Sequence, residues 1–317
     1  MNKKIVLLLL LYILLSANLY SQKKDLTSKK EYSLNKFYSL SLSDFKKTIV
    51  LGDSIKLYHS LKKEDIIDFH ETLGVTYYLL QNYSDSYINL NISLQECLKQ
   101  KKYSKAGRIH SDLSNIFVDL KDSLSVVKHN NLAIQFYKKA NNRDGILDVI
   151  QQKAFIELNY GNNKKSNSII KKYQNEFKKS SDSLLYLISN YLFLSNYLQL
   201  NKKTIAFKYL DTINELTKSD LNVDFKYYKT ASILDIASFY LNQNKIDSTS
   251  YFLEKINKDI TGLDPILAIE YYKLFSEVYK EKDNFEMYKK VNDTMLSIQQ
   301  KIIIDNSKSD INNEQEK

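Results

Sequence analysis

The stretch Leu73–Ser93, LGVTYYLLQNYSDSYINLNIS, decides how this chain folds. A large apolar residue, a small one and an aromatic stand at Leu73, Gly74 and Tyr77. Leu80 extends that stripe. A polar joint, Gln81-Asn82, follows, and then Tyr83, Ser86, Leu90 and Ser93. Residues three and four apart share one helix face, so the spacing predicts two amphipathic helices folded back on each other. The pattern recurs along the chain. Ser114 with Phe117, Ala154, Leu194 with Tyr197, Ala237 with Tyr240, and Ser276 with Tyr279 take the places of Gly74 and Tyr77. Small residues such as Ala133, Ser166, Ala206 and Thr249 fall in the second helices. The reference positions 74, 114, 154, 194, 237 and 276 are 39 to 43 residues apart. A fixed period of this size is the mark of stacked supersecondary units, none of which buries its apolar faces alone.

Composition agrees with that architecture. The 317 residues include only 6 glycines and 1 proline, so sandwiches, barrels and doubly wound sheets lack their turn formers. Hydrophobic residues make up 43% and aromatics 12%, enough to build a core. The single proline, Pro265, follows Asp264 at the expected start of a helix, where its missing N–H costs nothing.

The N-terminus reads as an export signal. Lys3 and Lys4 precede an unbroken apolar run, Ile5 to Leu15, and then the small and polar residues Ser16 to Ser21. The run is about 16 Å long as a helix, against about 30 Å of bilayer core. The expected leader is therefore 1–21, cleaved near Ser21, and the product periplasmic or secreted. A membrane contact would arise only from an uncleaved leader anchor. The net charge is +9, but almost all of the basic residues are lysine, with Arg108 and Arg143 the only arginines. Arginine is the better reader of phosphates and base edges, so nucleic acid is not the expected partner. Cys97 is the only cysteine, which excludes an internal disulfide; its helical spacing makes it a small buried hydrophobe.

The residues at Leu73, Gly74, Tyr77, Tyr83, Ser86, Leu90 and Ser93 resemble the tetratricopeptide repeat (TPR), in a unit longer than the usual length of about 34 residues. The resemblance covers roughly 42–304. It departs at Glu157, in an aromatic position, and at Leu194 and Tyr288, in small ones. The long unit is similar to the TPR sensor segments of periplasmic regulators of Bacteroidota. The resemblance implies an all-α, right-handed superhelical solenoid of antiparallel helix pairs, with about six full units and an N-terminal partial one. The expected layout is a leader at 1–21, a lead-in or partial repeat at 22–41, repeats at 42–304 and a disordered polar tail at 305–317. Gly74, Tyr77, Ser114, Phe117, Ala154, Tyr197, Ala206, Ala237, Tyr240, Ser276 and Tyr279 are the expected structural positions.

No catalytic constellation is legible. His70-Glu71 begins like a zinc-protease motif, but Gly74 stands where the second histidine belongs. There is no phosphate-binding glycine loop, no nucleophile elbow and no metal-ligand spacing among His59, His70, His110 and His129. No metal, cofactor or enzymatic activity is expected. By resemblance, the first helices line a concave groove. Its expected partner-binding residues are Asp68, Glu71, Tyr78, Arg108, Ser111, Asn115, Asp119, Gln151, Asn159, Tyr191, Ser195, Gln199 and Asn242, joined by Val75, Leu79, Asp148, Phe155 and Ser238. Amide, hydroxyl and aromatic groups of this kind bond and stack on an extended peptide. The leading functional reading is an exported scaffold or adaptor for a protein or peptide. The alternative is the ligand-sensing part of a split signalling system that works with a separate membrane kinase or transcription regulator.

Overall fold

The computed structural model describes residues 33–315, apart from 42, 59–60, 64, 220–221, 257–259 and 261–263; side chains are described as far as Lys301, apart from those of 57 and 58. The expected leader and most of the lead-in lie outside these residues, as does His59. Among the described residues there is no strand. The chain divides into two compact units, Met1–Leu120 and Lys121–Lys317.

The first unit holds α1 (33–40), α2 (Phe45–Tyr58), α3 (Asp65–Leu79), α4 (Tyr83–Lys99) and α5 (Tyr103–Asp119). α3 packs along α4, and α4 along α5, as antiparallel neighbours joined by short turns. Leu34, Phe37, Ile55, Phe69, Leu73 and Tyr77 form the core at its beginning, with the rings of Phe37 and Phe69 4.9 Å apart. Gly74 sits where α3 meets α4. A Cβ there would come within 2.6 Å of Leu90 Cγ and 3.1 Å of the Leu90 backbone nitrogen. The Ser86 hydroxyl donates to the Gly74 carbonyl across the same crossing at 2.7 Å. Small residues at both places let the backbones approach closely enough for that bond.

The second unit holds α6 (Ser123–Lys139), α7 (Arg143–Asn159), α8 (Asn163–Lys172), α9 (Gln174–Lys179), α10 (Ser183–Gln199), α11 (Lys203–Leu216), α12 (Val223–Leu241), α13 (Ile246–Glu254), α14 (Pro265–Glu281) and α15 (Phe285–Gln315). Here α7 pairs with α8, α10 with α11, α12 with α13 and α14 with α15. The first helices also touch in succession, α7 to α10, α10 to α12 and α12 to α14. That is serial nesting of hairpins. The Ser166 hydroxyl donates to the Ala154 carbonyl at 2.7 Å, repeating the Ser86–Gly74 bond. Ala154, Ala206 and Ala237 are fully buried. Tyr197 stacks on Phe193 and Tyr209, Tyr240 on Phe252, and Tyr279 on Phe275.

The scarcity of glycine has a visible consequence. Gln81, Lys101, Lys121, Asn141, Asn201, Asn244 and Asp283 all take positive φ between 51° and 61°, and Gly161 takes 75°. Most stand just past the end of a helix, the place usually given to glycine. The residue after each of Gln81, Lys101, Asn141, Gly161, Asn201, Asn244 and Asp283 donates its N–H to a carbonyl five residues back, at 2.8 to 3.0 Å. A sharp reversal is thus made largely by asparagine and long polar residues. The next helix is then capped at once: Asn82, Asp122, Asn142, Asp182, Asn222 and Asp264 accept backbone N–H bonds from its first turn.

Two segments differ from expectation. The second helix of the Ala154 unit breaks at Tyr173 into α8 and the six-residue α9, whose Phe177 is fully buried. The last helix runs on to Gln315, through most of the segment expected to be disordered. Nothing between Phe285 and Gln315 is glycine or proline, so no residue stops helix propagation there.

Candidate functional site

In the first unit α1, the start of α2, α3 and α5 together line an open cavity of 780 Å³. Of the expected groove residues it gathers Asp68, Glu71, Val75, Leu79 and Arg108; Tyr38, Phe45, Thr72 and Asp112 complete its polar and aromatic wall. The charges are largely engaged within it. Arg108 donates through Nε and Nη2 to both oxygens of Glu71, at 2.5 and 2.6 Å. Glu71 is buried, whereas the Arg108 side chain is 56% exposed. Lys105 pairs with Asp68. The Arg108 fork therefore clamps α5 to α3 as well as facing the cavity. Burial, then the charges of Asp68, Asp65 and Glu71, push the Tyr38 hydroxyl well above its ordinary pKa.

Tyr78 and Asp119 form a second cluster with Tyr83. The Tyr78 and Tyr83 rings are 6.2 Å apart, and the Tyr83 hydroxyl donates to Asp119 at 3.4 Å. Burial, and then Asp119, raise the Tyr78 pKa. Ser111 is buried and Asn115 half-buried on the same helix as Asp119. Phe117 makes an edge contact with Tyr87.

In the second unit the groove residues fall into four groups. Gln151 is buried, and its side-chain N–H donates to the Leu185 carbonyl, tying α7 to α10. It acts inside the packing rather than on a wall. Phe155, Tyr191 and Tyr228 form an aromatic ladder across α7, α10 and α12, with ring centres 6.2 and 5.4 Å apart. Asn159 is exposed at the end of α7. Ser195, Gln199, Ser238 and Asn242 meet around a pocket of 110 Å³ with Leu198, Phe239 and Asp235. Burial pushes the Asp235 carboxyl up to about 7, and the charge of Glu270 adds to that; hydrogen bonding from Ser195 and Tyr191 opposes it. Burial raises Asp148 too, helped by the charge of Asp182.

The fold has counterparts among solved structures. The crystal structure of NprR in complex with its cognate peptide NprX aligns over 84% of this chain and 76% of that one, with 15% identity and a TM-score of 0.59. The chain is TPR-like. A structure of PilF from Pseudomonas aeruginosa aligns over 80% of this chain and 99% of that one, at 12% identity and a TM-score of 0.48. No protein-family model matches the sequence, and no curated protein matches it.

Within this TPR-like chain, one set of wall residues was not expected from the sequence. Thr72 and Asp112 line the cavity of the first unit, and Asp235 the pocket of the second. Each lies two positions before a small reference residue: Gly74, Ser114 and Ala237. The expected Gln151, three before Ala154, is instead buried in the packing. The signal was present as a polar residue at a constant offset, but only packing tells which of two adjacent helix positions turns outward. Cys97 is fully buried; burial pushes its thiol up to about 11, which keeps it a poor nucleophile. Among the described residues no group of three or more His, Cys, Asp or Glu could hold a metal, and no helix is long and apolar enough to cross a membrane.

Proposed function

We propose that this TPR-like chain is an exported, non-enzymatic scaffold or adaptor that holds a protein or peptide partner against the faces of its first helices. The observation that carries the reading is the 780 Å³ cavity, where residues from four separate helices meet in an open, mixed polar and aromatic wall. Such a wall bonds a peptide backbone and stacks on its side chains without requiring a reactive group. The NprR neighbour, of the same fold, was solved with a peptide, and the reading extends that mode of binding to this chain. Export rests on the leader pattern at 1–21.

The test has two arms. Cell fractionation with N-terminal sequencing should find the protein outside the inner membrane, beginning near Gln22; an intact leader on a cytoplasmic product would refute export. Crosslinking in cells, followed by mass spectrometry, should capture a partner with the parent chain. A folded chain carrying Tyr38→Ala, Val75→Ala and Leu79→Ala, all on the cavity wall, should lose it. Undiminished capture by that variant would refute the groove.

A further inference from the structure

We propose that the outer face of α8 and α9 docks on an anionic phospholipid membrane surface through six lysines. From Asn163 to Lys179 stand Lys164, Lys165, Lys171, Lys172, Lys178 and Lys179, against one carboxylate, Glu176. These 17 residues carry a net charge of +5, more than half of the +9 of the whole chain. All six lysines are exposed. At about 100° per residue, the four lysines of α8 and Ser168 fall within a sector of about 120°. Ser166, Asn167 and Ile170 turn the other way and are buried. Beyond the break at Tyr173 the order persists, with Phe177 fully buried and Lys178 and Lys179 exposed. The pair of helices is amphipathic, and its outer side carries almost one sign of charge.

Little in the fold neutralises that face. Glu176 is engaged by Arg143, which reaches it from the start of α7. Lys165 pairs with Glu157 at 2.6 Å. Among the described residues the other five lysines make no ion pair. The second helices that follow do not share the excess. In α11, Lys203 and Lys208 are balanced by Asp211 and Glu215, and α13 carries only Asp247 and Glu254. A general surplus of lysine would be spread over all of them.

The chemistry of the face selects a membrane over other anions. A lysine ammonium is a hydrated point charge on a flexible stem and needs no fixed geometry in its partner. Protein interfaces are depleted in lysine and built around apolar or arginine anchors, and no large apolar side chain from 163 to 179 is exposed. Nucleic-acid surfaces add arginine forks and open rings on which bases stack. Here Arg143 is held by Glu176, and Arg143 and Lys172 stand over the Tyr173 ring at 5.8 and 5.5 Å. A bilayer surface offers broad, diffuse negative charge, and each lysine close to it raises affinity about fivefold. With nothing apolar to insert, the contact is peripheral and weakened by salt. Sequence alone places membrane contact only at the leader; the fold adds this second place by gathering the lysines on one side. The face belongs to second helices and the proposed partner site to first helices, so neither inference depends on the other.

The experiment is co-sedimentation of the full chain with vesicles of phosphatidylcholine, pure or with about 30% phosphatidylglycerol, at about 50 mM salt. Pure phosphatidylcholine measures whatever the N-terminal apolar run contributes, and the ratio of the two affinities removes it. That ratio should be about a hundredfold or more, and should approach one as salt rises to about 0.5 M. Lys164→Gln, Lys171→Gln, Lys178→Gln and Lys179→Gln together should lower the ratio about tenfold or more. Glutamine forms helix about as well as lysine, and circular dichroism checks that the variant is folded. A control, Lys202→Gln, Lys208→Gln, Lys289→Gln and Lys290→Gln, removes the same charge from other exposed sites of the second unit and should lower the ratio less than about threefold.

A ratio near one for the parent chain, a smaller loss in the α8–α9 variant, or an equal loss in the control would overturn the proposal. Release of the chain from the vesicles by duplex DNA, or by polyglutamate, at about a tenth of the lipid charge would also overturn it. The first result would assign the face to nucleic acid and the second to an acidic protein.

Discussion

Replacing Gly74 by alanine should destabilise the protein, although alanine is the better helix former. In an open helix the change would gain about 1 kcal/mol. Here the new methyl would lie 2.6 Å from Leu90 Cγ, 2.8 Å from Leu90 Cδ2 and 3.1 Å from the Leu90 backbone nitrogen. The side-chain contacts could be relieved by a rotamer change, but Leu90 is fully buried. The backbone contact is relieved only if α4 moves away from α3, which also stretches the Ser86–Gly74 bond of 2.7 Å. Overpacking of this kind costs about 1–3 kcal/mol, and a strained buried hydrogen bond about 1 more. The net expectation is a loss of about 2 kcal/mol, read by urea denaturation followed by far-UV circular dichroism.

A double-mutant cycle sharpens the test. Leu90→Ala alone should cost about 2–5 kcal/mol by opening a cavity. In that background the Leu90 Cγ and Cδ2 contacts are gone and only the 3.1 Å contact with the backbone nitrogen remains, so Gly74→Ala should cost less but stay unfavourable. The coupling should thus be about 1–2 kcal/mol. A Gly74→Ala chain as stable as its parent, or complete recovery of its cost in the Leu90→Ala background, would refute the argument that close backbone approach requires the small residue.

Three further outcomes follow from the geometry. Arg108→Ala should cost about 1–2 kcal/mol, measured by the same denaturation, because it leaves the buried Glu71 carboxylate unpaired; the value is below that of a fully buried pair because Arg108 is half in solvent. Adding Glu71→Gln should recover part of that loss. Gly161→Ala places a side chain at φ 75° with nothing within 4 Å, so its cost of about 1 kcal/mol is purely conformational. The reverse change, Lys101→Gly at φ 57°, should be neutral or slightly stabilising.

The third concerns acid. Burial lowers the His70 and His129 pKa values; for His70 a hydrogen bond to Asn89 at 2.9 Å opposes that shift. The folded state therefore prefers neutral rings, and their contribution is complete above the unfolded value of about 6.5 and lost as pH falls below it. Asp235 works in the opposite sense, since its folded value of about 7 exceeds the unfolded one and protonation favours folding. The difference in melting temperature between parent and a His70→Gln/His129→Gln chain isolates the imidazoles. That difference should shift in favour of the variant as pH is lowered from about 7 to about 5.5.

The paired-helix architecture was legible because the repeat is written in local terms. Leu73, Gly74 and Tyr77 fix a helix face, and the joint Gln81-Asn82 fixes its end and the next beginning. The same terms return at 114, 154, 194, 237 and 276. Hairpins of this kind depend chiefly on neighbours in sequence, so periodicity carries most of the information. The split of the long helix at Tyr173 was not legible, because it answers to the burial of Phe177 rather than to any breaker residue.

The sequence by itself determined the period, the helix faces, the caps and the small residues at the crossings. Tertiary structure alone decided which groove residues work as wall and which as mortar. Gln151 turns into the packing between α7 and α10; Arg108 is held by Glu71; Asp235, unremarked beside Leu234 and Ile236, opens onto a pocket with Ser195 from another helix. Neighbouring positions on a helix point about 100° apart, and the side chain that meets solvent is set by where the adjacent helix lies.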